Sequence, residues 1–478
     1  MRSHLQQPIF EPDVEHLLHS RDDERVAQGK AARRVVPRSS HAELPSQAPR
    51  APIDLLLEQE RTRLPELCPV RHARMAESPF AFYRGAALIM ASDLARTPTT
   101  GLHAQLCGDA HLLNFGMFGT PERGLIFDIN DFDETLSGPW EWDLKRLATS
   151  IEIAGRSNGY SKQQRREAVA DTVRCYRHTM LELAQQGNLD VWYARLDTAA
   201  VLARLRKLAT SRQHKVADKL VAKARQKDNV RALGKLTELR NGERHIVSQP
   251  PLIVPVGELL PLADSETLQT ALRQLLELYG ASLGSDRLAL IAQYRFVEAA
   301  RKVVGVGSVG TRCWIVLLLG IDGDDPLFLQ VKEAEASVLE RFVGASPFAQ
   351  HGQRVVAGQR LMQAASDELL GWLRFAGIDG RERDFYVRQL HDWKGSVPVD
   401  ALLPEGMALY GRMCGWTLAR AHARSGDRVA IASYLGRSER FDEALVAFSE
   451  GYADQNERDH DEFTRAIRSG RIATEIVT

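Results

Sequence analysis

LCGDAHLLNFGMFGTPERGLIFDINDFDETLSGPWEWDLKRLA, Leu106 to Ala148, is the stretch on which the reading of this chain turns. It sets Asp109, His111 and Asn114 in a D-x-H-x-x-N pattern. A short apolar run, Gly124 to Phe127, then leads to a second acidic group at Asp128, Asp131, Asp133 and Glu134. Phosphoryl transfer requires this division of labour. One carboxylate orients the attacking hydroxyl and an amide a few residues on helps hold a metal. A carboxylate beyond a strand then fixes the metal that bridges the nucleotide phosphates. Any one of these residues alone would be read as a turn former or cap. The ordered set, with a strand between its halves, assigns catalytic roles to Asp109, His111 and Asn114 and metal ligation to Asn114, Asp131 and Asp133.

A second constellation lies about two hundred residues downstream. Gly305, Gly307 and Gly310 form a G-x-G-x-x-G loop with Ser308 inside it. A dinucleotide fold would need a helix directly after the last glycine. Cys313 to Leu319 is instead aliphatic and β-branched, so it reads as a strand. A turn at Ile321 to Pro326 returns the chain into Leu327 to Val331, which ends at Lys332. Strand, glycine loop, strand, turn, strand, lysine is the layout that lays a flap over ATP phosphates and puts an ammonium on them. The bland reading of Lys332 is a snorkelling edge lysine. The glycine loop upstream favours the nucleotide reading, with Gly305, Gly307, Ser308, Gly310 and Lys332 as binding residues, and ATP and Mg2+ as cofactors. No acidic partner for Lys332 can be named from the helical stretch that follows it.

The order of the first constellation is similar to that of protein kinases and aminoglycoside-type phosphotransferases. The segment resembles their H-G-D-x-H-x-x-N and I-D-F-D-D signatures, with Cys107 standing where those signatures carry His. Asp143, in G-P-W-E-W-D-L, matches the aspartate that opens the central helix of the large lobe. The resemblance implies that it braces the backbone of the catalytic loop. A wider set of phrases resembles one bacterial family, the domain of unknown function 2252. These are SPFAFYRGAA, GDAHLLNFG, FDINDFDE, GPWEWDLKRLA, LQVKEA, YVRQLHDWKGS, LARAHARSGD and YADQNERDH. That resemblance implies a kinase-like fold and names no substrate.

In ordinary kinases the glycine loop and lysine come first. Here they come last, which points to a circularly permuted, bilobed α+β fold. The expected organisation is a mobile N-terminal arm over 1–50, where Pro, Ser and Arg dominate. A helical catalytic lobe follows over 51–257, then a connecting segment and helix over 258–280, the small nucleotide lobe over 281–398, and closing helices over 399–478. Within these, helices are expected over 78–95, 143–154, 162–240, 265–279, 355–375, 408–424 and 441–469, and a strand over 384–390. ARAHARSGD resembles a kinase catalytic loop but has no Asn five residues past Asp427, so it reads as a helix end whose His422, Arg424 and Asp427 either support the site or contact phosphate. YADQNERDH reads as a polar helix, a solvated face or one whose residues close over the cleft.

Bulk properties narrow the classes. The 478 residues carry 62 basic and 62 acidic side chains, so no global charge argues for nucleic acid or membrane. The basic stretch 204–240 has twelve Lys and Arg against three acids, yet no aromatics interleave them to stack on bases. It reads as a solvated helical face. Five scattered cysteines without C-x-x-C spacing fit a reducing cytoplasm. The N-terminus shows no apolar signal region, and no run is long enough to span a bilayer. The expected partners are a nucleotide and an unidentified phosphoryl acceptor, with neither nucleic acid nor membrane. Two rival readings stay open. In a metal-dependent phosphohydrolase, Asp109, His111, Asp128, Asp131 and Asp133 would hold two metals. In a degenerate kinase, nucleotide would bind without efficient transfer.

Overall fold

The computed structural model describes residues 22–44, 50–199, 221–222, 224–225, 229–259, 274–377, 379–390 and 393–476. The fold is mixed α+β and rich in helix, with a six-stranded antiparallel sheet as its largest β element.

That sheet grows from the aliphatic run Cys313–Leu319. The strands are β1 (His103–Leu106), β2 (Phe115–Gly119), β3 (Leu125–Ile129), β4 (Leu136–Pro139), β5 (Leu196–Asp197), β6 (Thr237–Arg240), β7 (Glu243–Ile246) and β8 (Ile253–Pro255). They continue with β9 (Arg295–Lys302), β10 (Cys313–Leu319), β11 (Pro326–Ala334), β12 (Gly371–Ala376) and β13 (Glu382–Gln389). The large sheet runs β12-β13-β11-β10-β9-β8. As expected, β10 and β11 form an antiparallel hairpin, with Trp314 opposite Val331 and Leu319 opposite Pro326.

Successive side chains of a strand point to opposite faces, so a strand buried on both sides must be apolar throughout. Ile315, Leu317, Leu319 and Phe328 pack under Leu233 and Leu236 of the helix Asn229–Leu236. Val316, Leu318, Leu327, Leu329 and Val331 pack on the opposite face with Tyr279 and Leu369. By the same alternation Gln330 and Lys332 continue the Phe328 face, which turns polar towards the end of β11. The helix His351–Met362 packs on β11, β12 and β13.

The helical body gathers both ends of the chain. Glu141–Ser157, Lys162–Leu183, Pro404–Ser425 and Arg440–Arg468 pack on one another around Trp140, which stacks on Tyr176 at 5.6 Å. Ser161 caps the second of these helices through a capping box with Gln164. Ser78 caps Pro79–Gly85, with Pro79 at the first position. No helix among the described residues is long and apolar enough to cross a membrane.

Several expectations change. Over 22–44 the N-terminal arm is folded and packed on the body. Asp22–Val35 forms a helix docked on Arg428–Leu435, and a β-carbon on its Gly29 would sit 2.1 Å from the Ala430 carbonyl oxygen. Its charges anchor it: Arg25 pairs with Asp427 at 2.9 Å, and Arg33 donates to the Tyr434 carbonyl at 2.8 Å. Cations at the end of a helix satisfy carbonyls that lack intrahelical partners. Residues 1–21 and 45–49 lie outside the described residues.

The helix expected over 78–95 breaks at Ala86 into Pro79–Gly85 and Ala87–Leu94. The one expected over 162–240 stops at Leu183, and its far end is a short helix followed by the β6–β7 hairpin. Most of the basic stretch before it, and residues 260–273 with most of the helix expected at 265–279, lie outside the described residues. The helix expected over 355–375 ends at Met362, and Gly371–Ala376 is the strand β12. The sheet also takes in β8, which precedes the expected boundary at 257. YADQNERDH is solvated only on one side, where Asp454 and Arg458 are exposed. Tyr452 donates to Asp93 at 2.8 Å, Asn456 to the Pro79 carbonyl at 2.9 Å, and Asp459 accepts Arg50 at 2.7 Å. The buried polar residues of this segment are satisfied internally.

Asp128 lies at the join between β3 and the helical body. It pairs with Arg420, both side chains being 1% exposed, and accepts the Ala364 amide at 2.8 Å. Removing one member of a buried pair strands the other charge, which costs about 3–5 kcal/mol. Arg420→Met is therefore expected to lower stability by about that much in urea unfolding. A loss below about 1 kcal/mol, the scale of an exposed pair, would contradict this account of the join.

Candidate functional site

Three loops meet where the polar end of β11 reaches the helical body. The first carries Asp109. Its backbone is moored by Asp143 at the start of the Glu141–Ser157 helix, which accepts the Cys107 amide at 2.8 Å and the Gly108 amide at 3.0 Å. Gly108 has φ +82°, and a β-carbon there would lie 2.2 Å from the Glu134 carbonyl oxygen. Only glycine lets this loop close onto the second acidic loop.

Asp109 is partly exposed and pairs with Arg146 at 2.5 Å. Arg146 sits one turn beyond Asp143, so the two side chains share a helix face. Its guanidinium also donates to the Tyr83 carbonyl at 3.1 Å and lies 4.5 Å over the Tyr83 ring. His111 places Nε2 3.7 Å from Asp109 Oδ2. Burial lowers its pKa to about 4, so the imidazole is neutral near pH 7. Asn114 donates its amide nitrogen to the Asp109 carbonyl at 2.7 Å. A carbonyl can only accept, so the Asn114 amide oxygen is left as the free donor for a cation.

The second loop follows β3. Lys332, 3% exposed, forms an ion pair with Asp133. The Tyr386 hydroxyl donates to the other Asp133 oxygen, Oδ1, at 2.7 Å, and Ser308 Oγ donates to the Lys332-bound Oδ2 at 3.4 Å. Tyr386 is directly opposite Lys332 in the β11–β13 register, and Arg388 is opposite Gln330. Arg388 reaches the Asn130 carbonyl at 3.0 Å, which ties the sheet to the loop. Asp131 accepts the Asp133 amide at 3.3 Å.

Burial, then the neighbouring Asp133 charge, pushes the Asp131 carboxyl above the usual carboxylate range. Burial would raise Asp133 as well, but the Lys332 charge and hydrogen bond and the Tyr386 hydroxyl outweigh it and hold it low. Burial opposes the Lys332 ammonium, and the Asp131 and Asp133 charges overcome it and push its pKa up.

The third loop is the glycine turn. Gly305, Gly307, Ser308 and Gly310 lie between β9 and β10, as expected, but the turn is clamped and not a free flap. Arg63 donates to the Gly307 carbonyl at 2.9 Å, Arg74 to the Val304 carbonyl at 3.0 Å, and the Leu64 amide to the Gly310 carbonyl at 2.8 Å. Val306 is buried among Ile53, Leu56, Met75 and Phe82. A cavity of about 320 Å³ opens beside the turn, lined by Arg63, Asp133, Glu134, Gly307, Ser308 and Glu335 among others.

The sequence-assigned residues thus fall into two adjoining groups, Lys332 with Asp133, Asp131 and Ser308, and Asp109 with His111 and Asn114. The Asp109 charge acts on Asp131, so the groups share one electrostatic field. Arg146 and Tyr386 were missed. Arg146 was findable from its spacing to Asp143, whereas Tyr386 depends on a strand register that the chain does not announce. The acidic partner of Lys332 is Asp133. The helix His351–Met362 carries no Asp or Glu, and its Arg354 donates instead to the Asp133 and Glu335 carbonyls at 2.8 Å each.

The donors fit one hard cation held by few protein ligands. Asp131 and the Asn114 oxygen could hold Mg2+ with phosphate oxygens and water completing its shell. They do not fit a two-metal set. Asp128 is consumed by Arg420 and two backbone amides, and no cluster of three or more His, Cys, Asp or Glu able to hold a metal occurs among the described residues. His422 and Asp427 act as supports: His422 bonds Tyr176 at 2.8 Å, and Asp427 caps the next helix through the Val429 and Ala430 amides.

Glu134 offers a pH test of the loop. Burial pushes its carboxyl up from 4.5 to about 7, although the Val338 amide donates to it at 2.7 Å. A raised folded-state pKa gives stability that is full below the unfolded value and is lost as pH rises through about 7. The melting temperature of Glu134→Gln relative to wild type should therefore climb between pH 5 and 7 and level off above. A difference that does not change with pH would contradict the burial of this carboxylate.

No curated protein and no solved structure matches the chain. The model of a family described as uncharacterized protein conserved in bacteria, the domain of unknown function 2252, matches residues 63–466. The match takes in both constellations, the mooring helix and the whole of the large sheet, and the chain belongs to this bacterial family.

Proposed function

We propose that this protein is an ATP- and magnesium-dependent phosphotransferase of kinase-like, circularly permuted, bilobed fold, acting on a hydroxyl of a small molecule or a protein. The observation that carries the reading is the meeting of Lys332, from the second strand after a glycine turn, with the Asp131–Asp133 loop, directly against the Asp109 loop. Kinase chemistry needs these parts in that spatial relation, whatever their order along the chain.

Each side chain then has a defined task. Lys332 takes the α- and β-phosphates, exchanging part of its ion pair with Asp133 for them. Asp131 and the Asn114 oxygen hold magnesium, which when bound would bridge and neutralise the phosphates. Asp131 is suited to this because its carboxylate, destabilised by burial and by Asp133, gains most from a nearby cation. Asp109 orients the acceptor hydroxyl and receives its proton. Arg146 holds Asp109 in place, and neutral His111 can donate or accept one hydrogen bond beside it. Cytoplasmic residence fits the nucleotide requirement and the five free cysteines.

A nucleotide-binding module with little transfer activity is the second reading. The clamped glycine turn and the missing acid on His351–Met362 favour it. The phosphohydrolase reading has lost Asp128 as a ligand.

Binding and chemistry separate by mutation. Lys332→Ala should weaken ATP by roughly 1.5–3 kcal/mol, the value of a charged hydrogen bond. Asp131→Asn should abolish the magnesium dependence of ATP binding. Thermal-shift titrations with and without magnesium check both, and unchanged behaviour of both variants would overturn the site. Asp109→Asn keeps the shape and removes the proton acceptor. Turnover should fall roughly 10²–10⁴-fold with ATP affinity retained, measured as γ-phosphate transfer. A wild type that binds Mg-ATP but transfers nothing to any hydroxyl acceptor would hand the case to the second reading.

A further inference from the structure

Among the described residues, seven arginines bury an Nε that has no hydrogen-bond partner. Arg63, Arg71, Arg301, Arg354, Arg420 and Arg424 each place a terminal nitrogen on a carbonyl or a carboxylate. Arg84 places none. It lies in the last turn of the helix Pro79–Gly85, half-buried, with its guanidinium uncommitted.

Its position gives the vacancy a meaning. The turn Val306–Ser308 packs on the Arg84 helix, and a β-carbon on Gly307 would touch the Arg84 carbonyl at 3.4 Å. On the other side lies the Asp109 loop. The Asp109 and Glu77 charges favour the Arg84 cation, Arg74 opposes it, and Arg84 in turn disfavours protonation of His111. Burial lowers the Arg84 pKa, and no nearby carboxylate approaches closely enough to bond it. Desolvating a cation and leaving it unpaired is costly, so such a group calls for an anion supplied from outside.

We propose that Arg84 binds the terminal phosphate of the nucleotide and is a catalytic residue of the phosphoryl transfer. This rests on the phosphotransferase reading. A nucleotide held by Lys332 through its α- and β-phosphates would extend its γ-phosphate between the glycine turn and Asp109, where Arg84 stands. In the step, the acceptor oxygen forms a bond to the γ-phosphorus. The bond from that phosphorus to the β,γ-bridging oxygen breaks, and its electron pair leaves with ADP. The hydroxyl proton passes to Asp109. Arg84 keeps its protons and donates hydrogen bonds to the equatorial oxygens as charge redistributes, the task of an arginine supplied in cis. Arg146 cannot do this while it is committed to Asp109.

The test compares wild type, Arg84→Met, Arg84→Lys and Lys332→Met as full-length proteins. Each is titrated with Mg-ATP, Mg-ADP and inorganic tripolyphosphate, and single-turnover cleavage of ATP is followed. Arg84→Met should bind ADP as wild type does and ATP about tenfold or more weakly, the scale of a lost charge-assisted contact. Cleavage should slow by at least about 10²-fold, towards the 10³–10⁵ of an arginine finger. Arg84→Lys should recover part of the ATP affinity and little of the rate, because an ammonium lacks the planar fork. Lys332→Met should weaken ATP and ADP alike. Equal ATP affinity and rate in Arg84→Met and wild type would overturn the proposal, as would equal losses for ATP and ADP. Should wild type bind neither nucleotide, the phosphotransferase reading fails by itself. Protection by tripolyphosphate that Arg84→Met abolishes would then still support a phosphate site at Arg84, and its absence would overturn that too.

Discussion

The buried ammonium of Lys332 pins the end of β11 to the Asp131–Asp133 loop. It is 3% exposed, and burial would discharge or expel it but for the carboxylates of Asp131 and Asp133. A buried charge must be paired, and the geometry of the pair then becomes a constraint on everything attached to it. β11 must end where the acidic loop begins, and Tyr386 and Arg388 on β13 follow from the register. The glycine turn lies over the same carboxylate through Ser308. The sheet cannot tilt away from the loop without stranding an ion.

The helical body answers with its own fixed point. Asp143 holds two consecutive amides of the Asp109 loop, and Gly108 lets that loop close on Glu134. Two sequence-distant loops are thereby held in contact by backbone hydrogen bonds and by the absence of a β-carbon. Such mooring, independent of flexible side chains, is what positions reacting groups to within fractions of an ångström. Arg146, one turn further along the same helix, extends it to the Asp109 carboxylate itself.

How much of this was legible follows from how local each signal is. D-x-H-x-x-N and the acidic run after β3 are local, so Asp109, Asn114, Asp131 and Asp133 could be picked out from spacing, and the glycine turn with its hairpin from residue type. The partner of Lys332 could not, because Asp133 lies 199 residues away and the pairing depends on sheet register. The N-terminal segment misled because its anchors are arginines reaching helix-end carbonyls, where apolar burial was the signal sought. YADQNERDH misled in the same way. Its Asp459 and its Tyr452 partner Asp93 both engage Arg50, so a polar face is an interior one. Arg84 is invisible to patterning, since what marks it is a bond it does not make.

The central claim is that Lys332, Asp131 and Asp109 surround one nucleotide, and a crystal structure with a non-hydrolysable ATP analogue and magnesium tests it most directly. The account predicts the α- and β-phosphates on Lys332, the metal on Asp131 and the Asn114 oxygen, and the terminal phosphate facing Asp109. Nucleotide bound away from Lys332, or metal held without Asp131, would contradict it.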